Sequence, residues 1–236
     1  MVFVMGGGKF GTNALNYLKG KAAKVLVVDI NPDCMASSKV DIQAEDLNVC
    51  DSLETGQSAF LKADAVQLLT DMLEIRVPNL VVTAIPGNAV AKVVDAYLAK
   101  RKIMLEPCRA AVSKVLVNLP ESLVSFVDKD LGVIVVSYMP SCIQCRDNCV
   151  PPKNVCTVTG RPKLASMTRL LEFGIYDLLD VSAILCSPQL TGGLGAIEGK
   201  DLHALLKNLD GLEVPYTLAV GTACDCHGIL NLSKAT

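Results

Sequence analysis

The chain has 236 residues and a formal net charge of −2, and 51% of its residues are hydrophobic while 19% are charged. A polypeptide of this composition can bury a large core, which excludes an intrinsically disordered protein. The nearly balanced charge also argues against nucleic acid or an anionic membrane surface as a partner.

Apolar runs of strand length alternate with helix-like runs in the first part of the chain. Strands are predicted at residues 2–5, 24–29, 59–61, 80–85, 103–105 and 133–137, and helices at residues 10–18, 64–73, 88–99 and 110–116. Such alternation is typical of βαβ units, whose strands form a parallel sheet covered by helices. We therefore predict an α/β fold with a Rossmann-type, doubly wound and mainly parallel sheet.

The composition changes after Tyr138. Residues 140–163 are rich in Pro and Cys and are predicted to form an ordered loop. A helix at 164–179, a strand at 182–186, a glycine turn at 191–195, a helix at 201–209 and a strand at 216–221 are predicted to follow. The chain thus divides into a dinucleotide-binding domain at 1–139 and a Cys-rich α/β extension at 140–236. The late strands either join the first sheet or form a small second layer.

The apolar runs are too short for a transmembrane helix, which needs about 20 residues. The first residues lack the basic segment and cleavage site of a signal peptide and are predicted to form a strand. These features predict a cytoplasmic protein without a membrane span, and they are compatible with a homo-oligomer.

A glycine-rich turn follows the first predicted strand and opens the first predicted helix. Gly6, Gly8 and Gly11 form the pattern G-x-G-x-x-G, with Lys9 and Phe10 inside it. In a dinucleotide site the first glycine permits the tight turn, the second allows the backbone to approach the pyrophosphate, and the third allows close packing of helix and strand. The N–H groups at the start of the helix then bind the phosphates. Lys9 and Phe10 are predicted to contact the same ligand.

Asp29 ends the second predicted strand, where dinucleotide sites carry an acidic residue that binds the ribose hydroxyls. Ile30 and Asn31 follow it and bring no arginine for a 2′-phosphate, so NAD(H) is favoured over NADP(H). Pro86 and Gly87 follow the fourth predicted strand and are predicted to face the ligand crevice, although they are equally explained as turn residues.

The stretches 4–11 and 27–32 resemble the nucleotide-binding domain of potassium-transport regulators (TrkA-N type) and the N-terminal half of saccharopine-dehydrogenase-type enzymes. The segments 64–65 and 86–88 fit the second group a little better. The resemblance covers residues 1–105 and implies a Rossmann fold with a bound dinucleotide held by Gly6, Gly8, Gly11 and Asp29. It does not extend to the Cys-rich half.

Four of the ten cysteines lie in the Pro-rich loop, namely Cys142, Cys145, Cys149 and Cys156. Four thiolates on one short segment suit either tetrahedral Zn²⁺ or a [4Fe–4S] cluster. The neighbouring prolines favour the iron–sulfur cluster, and zinc remains the alternative. The scattered cysteines Cys34, Cys50, Cys108 and Cys186 are predicted to be small buried side chains.

A second group, Cys224, Cys226 and His227, directly follows the last predicted strand. These residues are predicted to form a second metal site, to supplement the first, or to act as a redox-active thiol pair. A turn with buried thiols and a hydrogen-bonded histidine explains the pattern equally well. Cys224 and Cys226 are the first candidates for catalysis, because no other acid–base or nucleophilic arrangement stands out.

Three functions remain open from the sequence. The first is an NAD(H)-dependent oxidoreductase or electron-transfer protein, whose substrate or partner the sequence does not identify. The second is a nucleotide-sensing regulator with a structural zinc site. The third is a metal-handling or cofactor-assembly protein that uses the cysteines as transfer ligands.

Overall fold

The structure is a computed structural model that describes residues 1–140, 143, 145–146, 148–150 and 152–236. The strands are β1 (Val2–Met5), β2 (Val25–Asp29), β3 (Ile42–Ala44), β4 (Ser58–Lys62), β5 (Leu80–Thr83), β6 (Leu105–Pro107), β7 (Val124–Asp128), β8 (Val133–Ser137), β9 (Val181–Cys186), β10 (Gln189–Thr191), β11 (Leu194–Gly195), β12 (Ile197–Glu198), β13 (Tyr216–Ala223) and β14 (His227–Ala235). The α-helices are α1 (Lys9–Lys19), α2 (Val49–Ser52), α3 (Ala65–Ile75), α4 (Ala89–Ala99), α5 (Arg109–Asn118), α6 (Met167–Ile175) and α7 (Gly199–Leu209). None of the helices described is long and apolar enough to cross a bilayer.

The chain is a mixed α/β protein that folds into two compact units. Unit 1 comprises Met1–Ala89 and Leu194–Ala204, and unit 2 comprises Val90–Gly193 and Leu205–Thr236. The predicted boundary at residue 139 therefore lies inside unit 2. The reason is strand pairing, because β6, β7 and β8 belong to the same sheet as the late strands β9, β13 and β14.

Unit 1 contains a mostly parallel sheet, as the sequence predicted. Its strand order is β12-β5-β1-β2-β4-β3, and β12 alone runs antiparallel, against β5. The central strands β1 and β2 are apolar and almost wholly buried, which explains their continuous hydrophobic runs. The chain builds the sheet in one direction from β1 through β2 and then crosses to place β5 on the other side of β1. The reversal lies between β1 and β5.

Helix α1 packs on the unit 1 sheet through one face. Its buried residues are Gly11, Thr12, Ala14, Leu15 and Leu18. Their spacing of three and four residues is that of an amphipathic helix. Helix α3 begins after Asp64, whose side chain accepts hydrogen bonds from the backbone N–H groups of Val66 and Gln67 and so caps the helix.

Unit 2 is built around a second sheet of order β7-β8-β14-β13-β9, with β6 also paired to β14. Strands β13 and β9 are parallel, while β14 is antiparallel to β13, β8 and β6. Helices α5 and α6 contribute buried side chains to one apolar cluster with this sheet. The cluster includes Val112, Val115, Ile134, Val136, Leu171, Ala219, Leu230 and Leu232.

The predicted strand at 133–137 is β8, with the predicted bounds, but it is not a member of the sheet that contains β1. The strand predicted at 103–105 is β6 and lies two residues later in the chain. Strands β7 and β14 were not predicted. Strand β14 is the central strand of the second sheet and pairs with β6, β8 and β13. The sequence-based prediction therefore lacked the strand that connects the others of unit 2.

Gly132 directly precedes β8 and lies beside Leu232, at the point where the pairing of β14 changes from β8 to β6. Its φ is +67°, and a Cβ atom placed on it would lie 2.4 Å from the Leu232 carbonyl oxygen. The same carbonyl accepts a hydrogen bond from Cys108 N at 2.9 Å, and Leu232 N donates to Gly132 O at 2.8 Å. The backbones are therefore too close for a side chain at this position.

We expect Gly132→Ala to lower the free energy of unfolding by about 3 kcal/mol, since it combines a left-handed backbone with a steric clash. The matched variant is Gly211→Ala, because Gly211 has φ +80° and a Cβ there would meet none of the described atoms within 4 Å. That variant should lose about 1 kcal/mol, from backbone strain alone. Urea unfolding of both variants measures the difference, and equal losses would contradict the proposed close contact.

Candidate functional site: glycine turn and thiol edge

The turn between β1 and α1 requires glycine at two positions for reasons that the structure makes explicit. Gly6 has φ +94°, and its N–H donates to Val28 O at 2.8 Å. A Cβ on Gly11 would lie 1.9 Å from Gly6 O, so a side chain there is excluded. Gly8 differs, because a Cβ on it would meet none of the described atoms within 4 Å. The backbone at Gly8 is therefore open to approach by a ligand.

Asp29 lies beside this turn, at the carboxyl end of β2. Its carboxylate accepts hydrogen bonds from Gly7 N at 2.6 Å and from Asn31 N at 2.8 Å. The side chain is half-buried, and the sequence pattern predicted it as the acidic residue of the site. The two backbone donors fix the carboxylate next to the glycine turn.

The segment after Asp29 folds back over the turn. Gly7 O accepts hydrogen bonds from Ala36 N at 2.9 Å and from the Thr12 hydroxyl at 3.3 Å. A Cβ on Gly7 would lie 2.2 Å from Cys34 Sγ, so the Cys34 side chain occupies the space beside this residue. Cys34 was predicted to be a small buried side chain, but it is half-buried and packs against the glycine turn.

The other residues predicted for the nucleotide lie around the same turn. Ala84 O, in the connection after β5, would be 2.9 Å from a Cβ on Gly6, and Ala84 N donates to Met5 O at 3.0 Å. Pro86 and Gly87 follow in this connection and are exposed, with φ +77° at Gly87. Lys9 and Phe10, at the start of α1, are also exposed, and Lys9 Nζ lies 5.7 Å from the centre of the Phe10 ring. Unit 1 thus brings together all of the residues predicted for the nucleotide, at the carboxyl ends of β1, β2 and β5.

The Cys-rich loop and the C-x-C-H connection of unit 2 both adjoin the same ends of neighbouring strands in the second sheet. We call this region the thiol edge. It is formed by the last residues of β8, β13 and β9 (Ser137, Ala223 and Cys186) and by the first residue of β14 (His227). In the sheet, Ser137 is paired with His227 and Ala223 with Cys186. The Pro- and Cys-rich loop leaves from the end of β8, and the connection at 224–226 joins β13 to β14. Tyr138 N donates to Cys226 O at 3.0 Å, which ties the start of the loop to this connection.

Cys145 and Cys149 are neighbours in the loop, and both are half-buried. Burial, together with a hydrogen bond from Cys149 and the charges of Cys149, Cys226 and Cys156, raises the pKa of the Cys145 thiol to about 11. Cys142 was predicted as a ligand of the same centre and lies outside the described residues.

Cys156 is buried in the apolar cluster of unit 2. Its thiol donates to Met139 Sδ at 3.5 Å, and its backbone N–H donates to Arg161 O at 2.9 Å. Burial opposes ionisation of this thiol, but hydrogen bonds from Thr159 and from the backbone, together with the charge of Lys163, bring its pKa below the usual value. A predicted metal ligand is thus packed against a thioether in the described structure.

The C-x-C-H group forms a tight connection between β13 and β14. Cys224 N donates to His227 O at 2.9 Å, and Cys226 N donates to Cys224 Sγ at 3.4 Å. Cys224 Sγ lies 4.0 Å from His227 Nδ1. The first residues of α6 also bind this connection, because Met167 N donates to Asp225 O at 3.3 Å and Thr168 N to Cys224 O at 3.3 Å.

Burial controls ionisation in this connection. It raises the pKa of the Cys226 thiol, against an opposing effect of hydrogen bonding and charge from Lys163. It lowers the pKa of the His227 imidazole, and the charge of Lys163 acts in the same direction. Cys226 is therefore a neutral thiol, and His227 a neutral imidazole, at neutral pH in the absence of an additional ligand.

Two residues that follow β9, Gln189 and Gly192, contact the backbone of the loop. The Gln189 amide donates to Cys149 O at 2.6 Å. Gly192, in the predicted glycine turn at 191–195, lies so close to the loop that a Cβ on it would be 2.5 Å from Asn148 O. The close contact with Asn148 accounts for this glycine, and its role here is packing of the loop.

Among the residues that the structure describes, no three His, Cys, Asp or Glu side chains form a group that could hold a metal ion. Within the described residues, Cys145 is close enough to Cys149, Cys226 and Cys156 for all three to affect its ionisation, and the Cys156 thiol is hydrogen-bonded to Met139 Sδ.

Two family models match the chain and divide it close to the boundary between its units. The model AF_1314_N, "Uncharacterized protein, N-terminal domain", matches residues 1–86, and AF_1314_C, "Uncharacterized protein, C-terminal domain", matches residues 90–236. The chain belongs to the AF_1314 family. It is 29% identical over 234 residues to an "Uncharacterized protein" of Archaeoglobus fulgidus, with 99% of each chain covered. No solved structure matches the chain.

The lowered pKa of His227 predicts a specific dependence of stability on pH. The unfolded chain, in which a histidine has a pKa near 6.5, takes up a proton before the folded protein does. Stability should therefore fall as the pH decreases below about 6.5, until the folded imidazole is protonated as well. In metal-free protein, His227→Gln should reduce this loss, as measured by urea midpoints from pH 8 to pH 5. His203→Gln, on α7, is the control and should keep the loss; an unchanged pH profile for His227→Gln would contradict the assignment.

Proposed function

We propose that the protein binds NAD(H) in unit 1 and carries a thiolate metal centre in unit 2, and that it functions as a redox protein. The observation that carries the proposal is that Asp29 lies beside an open glycine turn in a mostly parallel sheet. This turn follows β1, next to the reversal of strand order between β1 and β5. In open α/β sheets, ligands bind in the crevice at the carboxyl ends of the strands where the order reverses.

The strand order supports a Rossmann-type unit. The parallel strands β4, β2, β1 and β5 are adjacent in that order, which corresponds to the strand order 3-2-1-4 of the dinucleotide-binding fold. Strand β3 adds an edge beyond β4, and β12 adds an antiparallel edge beyond β5. The turn that carries the glycines and the connection that carries Pro86 and Gly87 flank the crevice between β1 and β5.

Asp29 favours NAD(H) over NADP(H). A carboxylate at the end of β2 can accept hydrogen bonds from ribose hydroxyls and repels a 2′-phosphate. This carboxylate accepts hydrogen bonds from Gly7 N and Asn31 N. These donors hold the carboxylate in place for a ribose beside the turn.

The metal centre is proposed from the spacing of Cys142, Cys145, Cys149 and Cys156 and from the meeting of both cysteine groups at the thiol edge. A [4Fe–4S] cluster and Zn²⁺ are both compatible with thiolate ligands, and the prolines of the loop favour the cluster. Either metal binds thiolates, so binding would release the thiol protons that burial retains on Cys145 and Cys226.

A regulator that senses the nucleotide remains the second candidate, because residues 4–11 and 27–32 resemble the nucleotide-binding domain of potassium-transport regulators. The distinguishing experiment is turnover with NADH and a range of electron acceptors. Consumption of NADH supports the redox protein, and binding without consumption supports the regulator. More than one metal ion per chain, removed by a mild chelator, would instead support a metal-handling protein.

Gly8→Ala tests the nucleotide site directly. A methyl group at this open N-cap position should lower the free energy of unfolding by at most about 1 kcal/mol but separate the backbone from the pyrophosphate. We expect NADH binding, measured by calorimetry, to weaken by about 10-fold or more. The matched control is Gly20→Ala at the other end of α1, where φ is −64° and the nearest atom would be 3.4 Å away. Equal NADH affinity in wild type and Gly8→Ala would contradict the site.

Asp29→Asn provides the second variant for the same experiment. The wild type should bind NADH about 10-fold more tightly than NADPH, and the amide should reduce that preference because it removes the repulsion of a 2′-phosphate. A preference unaffected by Asp29→Asn would show that this carboxylate does not contact the ribose.

Elemental analysis of anaerobically purified protein tests the metal centre. We expect iron with sulfide, or zinc, at about one centre per chain, and a visible absorption that bleaches on reduction if the centre is a cluster. The double variant Cys145→Ser, Cys149→Ser should lose the metal. Cys50→Ala, which changes a buried thiol of unit 1, should retain it. A wild-type protein free of both metals would refute the centre.

A further inference from the structure

Lys163 is an enclosed cation at the thiol edge. Its exposed fraction is 8%, although lysine is among the residues least often buried. The chain folds back to place it there, since Val155 and Pro162 form a β-bridge and Lys163 N donates to Asn154 O at 2.9 Å. Its ammonium Nζ donates to Pro152 O at 2.7 Å. The backbone of the loop therefore positions the charge.

Among the described residues, no carboxylate forms a salt bridge with the Lys163 ammonium. Other cations of the described residues do form salt bridges, among them Lys19, Arg76, Arg101, Arg109, Lys200 and Lys207. A carbonyl oxygen satisfies one of the three N–H groups of a lysine but does not neutralise the charge. Burial of an ammonium is costly unless an anion faces it.

The same β-bridge brings Lys163 near Cys156, because Cys156 N donates to Arg161 O at 2.9 Å. Hydrogen bonding and charge from Lys163 act on Cys226, and its charge acts on Cys156 and on His227. The two cysteines come from different segments, the loop and the connection between β13 and β14. Of these neighbours, a thiol is the group that becomes an anion when it binds a metal.

We infer that Lys163 is the counter-charge of the thiolate centre, held by the Pro152 carbonyl at the thiol edge. The inference rests on the proposed metal centre. Four thiolates around Zn²⁺ leave a net charge of −2, and a buried site of that charge is stabilised by a fixed cation nearby. Lys163 is a positioning residue, because it acts through the charge of the ligands and does not itself bind the metal.

Zn²⁺ affinity of the full-length, metal-free protein tests this inference, with a chromophoric chelator as competitor. Lys163→Met keeps the length of the side chain and removes its charge. We expect it to weaken Zn²⁺ binding by about 10- to 100-fold, the range seen when residues that support metal ligands are changed. Lys163→Arg keeps the charge and should remain closer to the wild type. The matched control is Lys153→Met, which removes an exposed charge from the same loop and should leave the affinity unchanged.

The outcomes separate this inference from the metal centre itself. If the wild type binds Zn²⁺ and Lys163→Met binds it equally well, the counter-charge is refuted while the centre stands. If Lys163→Arg is as weak as Lys163→Met, and urea unfolding shows both variants to be folded, packing rather than charge explains the loss and the inference fails. If the wild type binds no Zn²⁺, the centre and the inference fail together.

Discussion

Strand β14 is hydrogen-bonded along both edges, to β13 on one side and to β8 and β6 on the other, and this pairing determines the organisation of unit 2. Because β8 and β13 both run antiparallel to β14, they run parallel to each other and end at the same edge of the sheet. The loop that follows β8 and the connection that follows β13 must therefore meet. The bond from Tyr138 N to Cys226 O is a direct consequence. Two cysteine groups that are far apart in the sequence become neighbours through backbone pairing alone.

The elements of unit 1 could be predicted because their signals are local. Strand β1 has the predicted bounds, and β2 begins one residue later than predicted. The glycine spacing placed the turn, and the apolar run before Asp29 placed the carboxylate at the end of its strand. Each of these inferences needs a window of a few residues. The packing of Cys34 against Gly7 depends on how the segment after Asp29 folds back, which no local pattern specifies.

Unit 2 was harder to predict because its sheet joins distant segments. Strand β14 does carry a signal, since buried Leu230 and Leu232 alternate with the polar Asn231 and Ser233. However, the Cys-x-Cys-His group at 224–227, whose histidine is the first residue of β14, was interpreted as a metal or redox site, and the strand was not predicted. The prediction of one mainly parallel sheet that contains both the first strand and the strand at 133–137 is wrong, because β1 and β8 belong to different sheets. The burial of Lys163 could not be predicted, because it depends on the tertiary fold of the loop and not on a local sequence pattern.

The boundary near residue 90 changes how the cysteines should be interpreted. Had the Cys-rich segment been an extension of a nucleotide-binding domain, its loop would have needed a metal to become ordered. Instead the segment belongs to a unit that begins at Val90 and has its own apolar cluster, in which Met139 and Cys156 are packed. The Tyr138 hydroxyl donates to Ala165 O at 2.8 Å and so joins the two ends of the loop through protein contacts alone. The two ends of the loop are therefore fixed by packing and hydrogen bonds within unit 2, and Cys145 and Cys149 lie on a segment that this unit holds at both ends.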